Sequence, residues 1–103
     1  MKIENMIGNS GKKVANQFII SDNNTCYFQS YDSIIVKADF SNNYIELGKD
    51  WNYSRTTAKY RNKFFELYKI PLQSTKEVEK CLKNEKFIDS LGIEWKIVYN
   101  SNL

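Results

Sequence analysis

The sequence contains no histidine, one proline, four glycines and two cysteines. Without histidine the chain lacks the commonest general base and the commonest metal ligand near neutral pH. A tetrahedral zinc site would have to gather Cys26, Cys81 and two distant carboxylates, with no closely spaced ligand pair among them. The glycines stand at 8, 11, 48 and 92, too scattered for a phosphate-cradling loop. No apolar run approaches the roughly 18–20 residues that span a membrane. The opening MKIENMIGNSGKK also lacks the apolar stretch, about 7–15 residues long, of a secretion signal. These absences lead to the expectation of a cytosolic protein with no cofactor, no metal and no membrane partner. In that compartment Cys26 and Cys81 are expected to be reduced, buried thiols.

What is present describes a folded domain. Hydrophobic residues make up 42% of the 103-residue chain and aromatics 15%, too much for disorder. A chain of this length forms one domain and buries roughly 60–70% of its unfolded surface, enough for a core without staples. Formal net charge is +3, unevenly spread. Residues 1–52 hold five Lys against six acids, a net of −1. Residues 53–103 hold ten Lys and Arg against six acids, a net of +4. A basic second half favours anionic partners without demanding them.

Hydrophobic period divides the chain in two. Residues 1–12 are polar and read as a loose arm. Val14 to Ser21, Cys26 to Tyr31, Ile34 to Phe40 and Tyr44 to Leu47 alternate as strands, separated by turns at Asp22-Asn23-Asn24-Thr25, Asp32-Ser33 and Asn42-Asn43. Cys26, Phe28 and Ser30 fall on one face of the second strand; Tyr27, Gln29 and Tyr31 fall on the other. Ile34, Val36, Ala38 and Phe40 are the inward set of the third. Beyond Trp51 the period becomes helical. Ser54 is a good N-cap, and Thr57, Tyr60, Phe64, Leu67 and Tyr68 form an apolar stripe on a helix from about 54 to 69, ended by Pro71. A second helix opens at Ser74 with Glu77 completing a capping box and Val78, Cys81 and Leu82 inward. Asn84 to Ser90 is ambiguous, and Ile93 to Tyr99 alternates as a last strand. The expected architecture is α+β: an antiparallel meander of about four strands plus a C-terminal strand, with two helices packed on one face.

Three groups of residues are candidates for function. Arg55, Lys59 and Lys63 recur at i, i+4 and i+8, with Arg61 nearby. Cations at that spacing repel by a few tenths of a kcal/mol per pair, and Arg55 in the first turn opposes the helix dipole. A row held against those costs can grip phosphate or an acidic protein surface, although an ordinary solvated helix face has the same pattern. Tyr27 and Tyr31, with Gln29 between them, could stack on unpaired bases and read their edges if the helices leave that sheet face open. If the helices cover it, they are core. Trp51 and Tyr53 flank the helix start, either as interface anchors or as packing that fixes how the helix enters. For catalysis, the hydroxyls of Ser54, Thr56 and Thr57 lack a histidine to take a proton, and the Thr56…Lys59 spacing is common by chance, so no enzyme activity is expected.

The stretches Cys26-Tyr27-Phe28-Gln29-Ser30-Tyr31-Asp32-Ser33-Ile34-Ile35 and Trp51-Asn52-Tyr53-Ser54-Arg55-Thr56-Thr57-Ala58-Lys59-Tyr60-Arg61-Asn62-Lys63-Phe64 resemble a family of short uncharacterised proteins carried by phages and mobile elements of low-GC Gram-positive bacteria. The shared pattern is roughly Y-F-x-S-Y followed by W-[DN]-Y-S-x-T-T-x-K-Y-x-x-x-F, over about residues 17–65. The resemblance implies no established chemistry. It implies a setting: a small phage accessory protein in the host cytoplasm, of the kind that inhibits a host defence nuclease, as anti-CRISPR proteins do. Such an inhibitor would cover a protein surface or compete at an RNA or DNA channel. The partner-binding residues would be Arg55, Lys59, Arg61, Lys63, Trp51 and Tyr53. The alternative is a nucleic-acid-binding module that uses Tyr27, Gln29, Tyr31, Arg55, Lys59 and Lys63.

Overall fold

Asparagine-rich turns and alternating side chains fold the first half of the chain back on itself. In the computed structural model, which describes residues 1–103, β1 (Lys2–Ile7), β2 (Lys13–Asp22), β3 (Thr25–Ser30), β4 (Ser33–Asp39) and β5 (Tyr44–Leu47) form an antiparallel meander. Asn23 and Asn43 hold φ of 56° and 51° in two of its turns, a left-handed conformation that asparagine tolerates better than most residues. Helices α1 (Arg55–Leu67) and α2 (Thr75–Asn84) follow, then β6 (Lys86–Ile88) and β7 (Glu94–Tyr99). The result is α+β, with one seven-stranded mixed sheet in the order β1-β2-β3-β4-β5-β7-β6. Strand β7 lies parallel to β5, from Tyr44↔Lys96 to Leu47↔Tyr99, and antiparallel to β6.

The sheet is thus larger than the expected four strands and one addition. Residues 1–12 are not a loose arm, because Lys2–Ile7 pairs along the edge of β2 and Met6 is buried. Its polar composition suits an edge strand with one inserted apolar side chain and hid it from a search for alternation. Strand β6 has only three residues, and its pairing is supplied by β7.

The core lies between the helices and the sheet face that carries Phe28, Val36, Ala38, Ile45 and Ile97. A continuous chain of rings joins the layers. Phe28 meets Phe64, Phe64 meets Tyr68, Tyr68 meets Phe40, Phe40 meets Trp95, and Trp95 stacks on Phe87, with centroids 4.9–6.1 Å apart. Offset and edge-on contacts of this kind add about 0.5–1.5 kcal/mol each beyond area burial. An irregularity in the β3–β4 register places Ile35, rather than the expected Ile34, among the fully buried residues. Gly48 is required where β5 ends, because a Cβ there would collide with the Ile34 carbonyl oxygen.

Helix α1 begins at Ser54, whose hydroxyl accepts the Thr57 N–H at 3.2 Å. Its buried residues are Thr57, Tyr60, Arg61, Phe64 and Phe65. Leu67, expected on the apolar stripe, is 56% exposed. The 3.6-residue period runs through 57, 60–61 and 64–65, so Phe65 takes the inward position and Leu67 rotates out. The helix closes with the Ile70 N–H on the Phe65 carbonyl and the Lys69 N–H on that of Glu66, with Lys69 left-handed at φ 57°. Ser74 caps α2 by accepting the Glu77 N–H at 3.2 Å, and its own hydroxyl donates to the Glu77 carboxylate. No helix is long and apolar enough to cross a membrane.

Candidate binding surfaces around helix α1

Arg55, Lys59 and Lys63 stand on the side of α1 opposite its buried stripe. Arg55 and Lys59 are exposed and Lys63 is half-buried. None makes an ion pair; the pairs in the molecule are Lys2–Glu4, Lys37–Glu46 and Lys86–Glu94. The Lys59 ammonium sits 5.3 Å from the Tyr60 ring centroid. Lys59, Lys63 and Glu66 share a shallow polar hollow of about 360 Å³ with Asn9, Asn62 and Gln73, so the row borders the β1–β2 connection and ends against an acid.

Arg61 does not belong to this row. It is 0% exposed, at the centre of the buried stripe. Its guanidinium donates to the Trp51 carbonyl at 2.9 Å, to Thr75 Oγ1 at 2.9 Å and to Asn62 Oδ1 at 2.8 Å and 3.2 Å. It also lies 5.4 Å from the Trp51 ring centroid, within cation–π range. Burial pulls its pKa down to about 10, opposed by Glu79, so it remains charged at neutral pH. The assignment of Arg61 to a contact surface is therefore corrected: it ties the chain before α1 to the start of α2. Trp51 is the other half of this clamp and packs against the core. Tyr53, by contrast, is 78% exposed.

The second feature is a cleft of about 530 Å³ where the β3–β4 turn faces the start of α1. Ser30, Ser54 and Thr57 contribute linked hydroxyls: Ser54 Oγ donates to Thr57 Oγ1 at 3.2 Å, and Ser30 Oγ lies 3.4 Å from the same oxygen. Two carboxylates line it. Asp50 accepts from Ser33 Oγ at 2.8 Å, whereas Asp32 is exposed and has no partner within the chain. Tyr31, 58% exposed, and Tyr53 supply aromatic surface. Tyr31 is left-handed at φ 54°, a conformation that costs a non-glycine residue about 1 kcal/mol or more. It is held there by its N–H on the Asn16 carbonyl and by Gln29 Nε2 on its own carbonyl. Opposite Ser30 on β2 is Gln17, 1% exposed, whose Oε1 is the buried side-chain polar atom left without a hydrogen bond.

The remaining candidates divide between two places. Tyr27 and Gln29 are half-buried on the sheet face turned away from the core, beside Ile20, Lys37 and Ile34. Tyr31 lies beyond the end of β3 and belongs to the cleft. The three do not form one platform, and the core separates Tyr27 and Gln29 from the α1 row. The cleft itself was not foreseen. Its sequence signal is the pair of polar, aromatic-flanked turns at Tyr31-Asp32-Ser33 and Tyr53-Ser54, which only the fold brings together.

An α+β domain with a mixed sheet and these two polar surfaces is the class of protein at hand. The chain belongs to the DUF8033 family, a family of unknown function, whose model matches residues 1–87. That match ends within β6 and leaves β7 outside it. No curated protein and no solved structure matches the chain.

Proposed function

We propose that this protein acts by non-enzymatic surface binding, with Arg55, Lys59 and Lys63 on the outer side of α1 as its contact row and an acidic protein surface as its target. One observation carries the reading: three cations share the outer side of one helix and none forms an ion pair with a carboxylate of the same molecule. Each like-charged neighbour costs a few tenths of a kcal/mol that a folded-state contact does not recover here. The phage-type setting implied by the sequence resemblance makes a host defence nuclease the first partner to examine.

A nucleic-acid-binding role is the weaker reading. It draws on the basic row together with Tyr27, Gln29 and Tyr31, and Tyr27 and Gln29 lie across the core from that row. Co-purification from host lysate, followed by a cleavage assay on the captured nuclease, tests the proposal. The wild-type protein is expected to capture and inhibit the nuclease, and a folded Arg55→Glu/Lys59→Glu/Lys63→Glu variant to lose capture by roughly tenfold or more. Equal capture by that variant would remove the contact row. Binding to free oligonucleotides whose log K falls by about 0.7–0.9 per phosphate with log salt would instead favour nucleic acid.

A further inference from the structure

We infer that the cleft between the β3–β4 turn and the start of α1 is a binding site for a guanidinium group, independent of the α1 contact row. The lining side chains are acceptors and aromatic surface: two carboxylates, Asp32 and Asp50, a set of serine and threonine hydroxyls, and the rings of Tyr31 and Tyr53. No lysine or arginine lines it, in a chain with a net charge of +3. A ligand that fits must therefore bring donors and positive charge.

An anion at the exposed end of α1 is the competing idea, since a helix N-terminus attracts negative charge. The magnitudes decide against it. The helix end amounts to roughly half a positive charge, and Ser54 already satisfies the Thr57 N–H. Arg55 stands in the same turn but does not line the cleft, whereas both carboxylates do, so the wall itself is negative. Asp50 holds only the Ser33 hydroxyl, and Asp32 holds nothing.

The aromatic component separates guanidinium from ammonium. Tyr31 and Tyr53 keep 58% and 78% of their surface exposed where they border the cleft, so both rings are open to a ligand. A planar guanidinium stacks on a phenol ring while its edge donates to a carboxylate, whereas an ammonium does one or the other less well. Tyr31 is also kept in a left-handed backbone that glycine would occupy more cheaply. Behind the floor, Gln17 lies directly opposite Ser30, so the two side chains share a sheet face, and its buried Oε1 has no donor. Gln17 itself does not line the cleft; it adds one more acceptor without a donor behind Ser30.

Titration with N-acetyl-arginine methylamide, followed by two-dimensional amide NMR of the whole chain, tests the site. Millimolar affinity is expected for a single side chain, with shifts centred on Tyr31, Asp32, Tyr53 and Thr56. The citrulline analogue, which keeps the shape and loses the charge, is expected to bind at least roughly tenfold more weakly, and the lysine analogue to fall below arginine. Asp32→Asn and Tyr53→Ala, both at exposed positions, should retain the thermal midpoint and weaken arginine binding. Lys59→Glu should not weaken it, which keeps this result separate from that of the contact row. A series of arginine-containing peptides then identifies the source: tighter binding than the free derivative assigns a protein-borne arginine, and equal binding assigns a small guanidinium metabolite. Absence of shifts at these residues, equal binding of citrulline or lysine analogues, or full affinity in folded Asp32→Asn would each overturn the inference.

Discussion

Arg61 carries a full charge into the interior of a small domain without forming an ion pair there. Carbonyl and hydroxyl acceptors, together with the face of Trp51, replace the water it lost. Hydrogen bonds to charged groups contribute about 1.5–3 kcal/mol each. Arg61→Ala should therefore lower stability by about 3 kcal/mol or more, read as a drop in urea midpoint. Arg61→Lys should recover only part of it, because an ammonium cannot reach Trp51, Asn62 and Thr75 with one planar fork. The same pattern should appear for Trp51→Ala, which removes the ring beneath the guanidinium. Position 61 was legible as inward from its spacing alone, four residues after Thr57 and three before Phe64. Its residue type argued for the surface, and type was the weaker guide, since a buried polar group is tolerated wherever its donors are met.

Among the elements, α1 displays a conflict between stability and the surface it presents. Its first turn has no acidic residue and holds Arg55 instead, at the positive end of the helix dipole. Arg55→Glu should raise the thermal stability by about 0.3–1 kcal/mol while weakening partner capture, a sign reversal between two assays on one variant. Ser54→Ala should act oppositely on the fold, costing about 1 kcal/mol by stripping the Thr57 N–H of its acceptor. Caps and hairpins of this kind were readable from residues 22–25, 42–43, 54 and 74, because their chemistry is local. Strands β1 and β6 were not, because a polar edge strand and a three-residue strand exist only through the neighbour that pairs with them.

At the scale of the whole molecule, the last strand completes the sheet. β7 sits between β5 and β6 and buries Trp95 and Ile97. A chain ending at Phe87, the limit of the family match, would leave the edge of β5 open and remove the ring that joins Phe40 to Phe87. Loss of a buried aromatic alone costs about 3–5 kcal/mol. Such a chain should lack a cooperative thermal transition by circular dichroism, whereas the full chain should melt in one step. The cleft likewise belongs to this scale. Its two carboxylates come from turns eighteen residues apart in sequence, at 32 and 50, and no local pattern places them together.

The parallel pairing of β7 with β5 also dictates an order of events at birth. The first five strands are joined by tight hairpins and can form while synthesis continues, since local contacts close quickly. The docking strand emerges after all the strands it joins. Until it does, β5 offers a row of free amides and carbonyls to any neighbouring strand, so each new copy is most vulnerable to mispairing until residues 94–99 leave the ribosome.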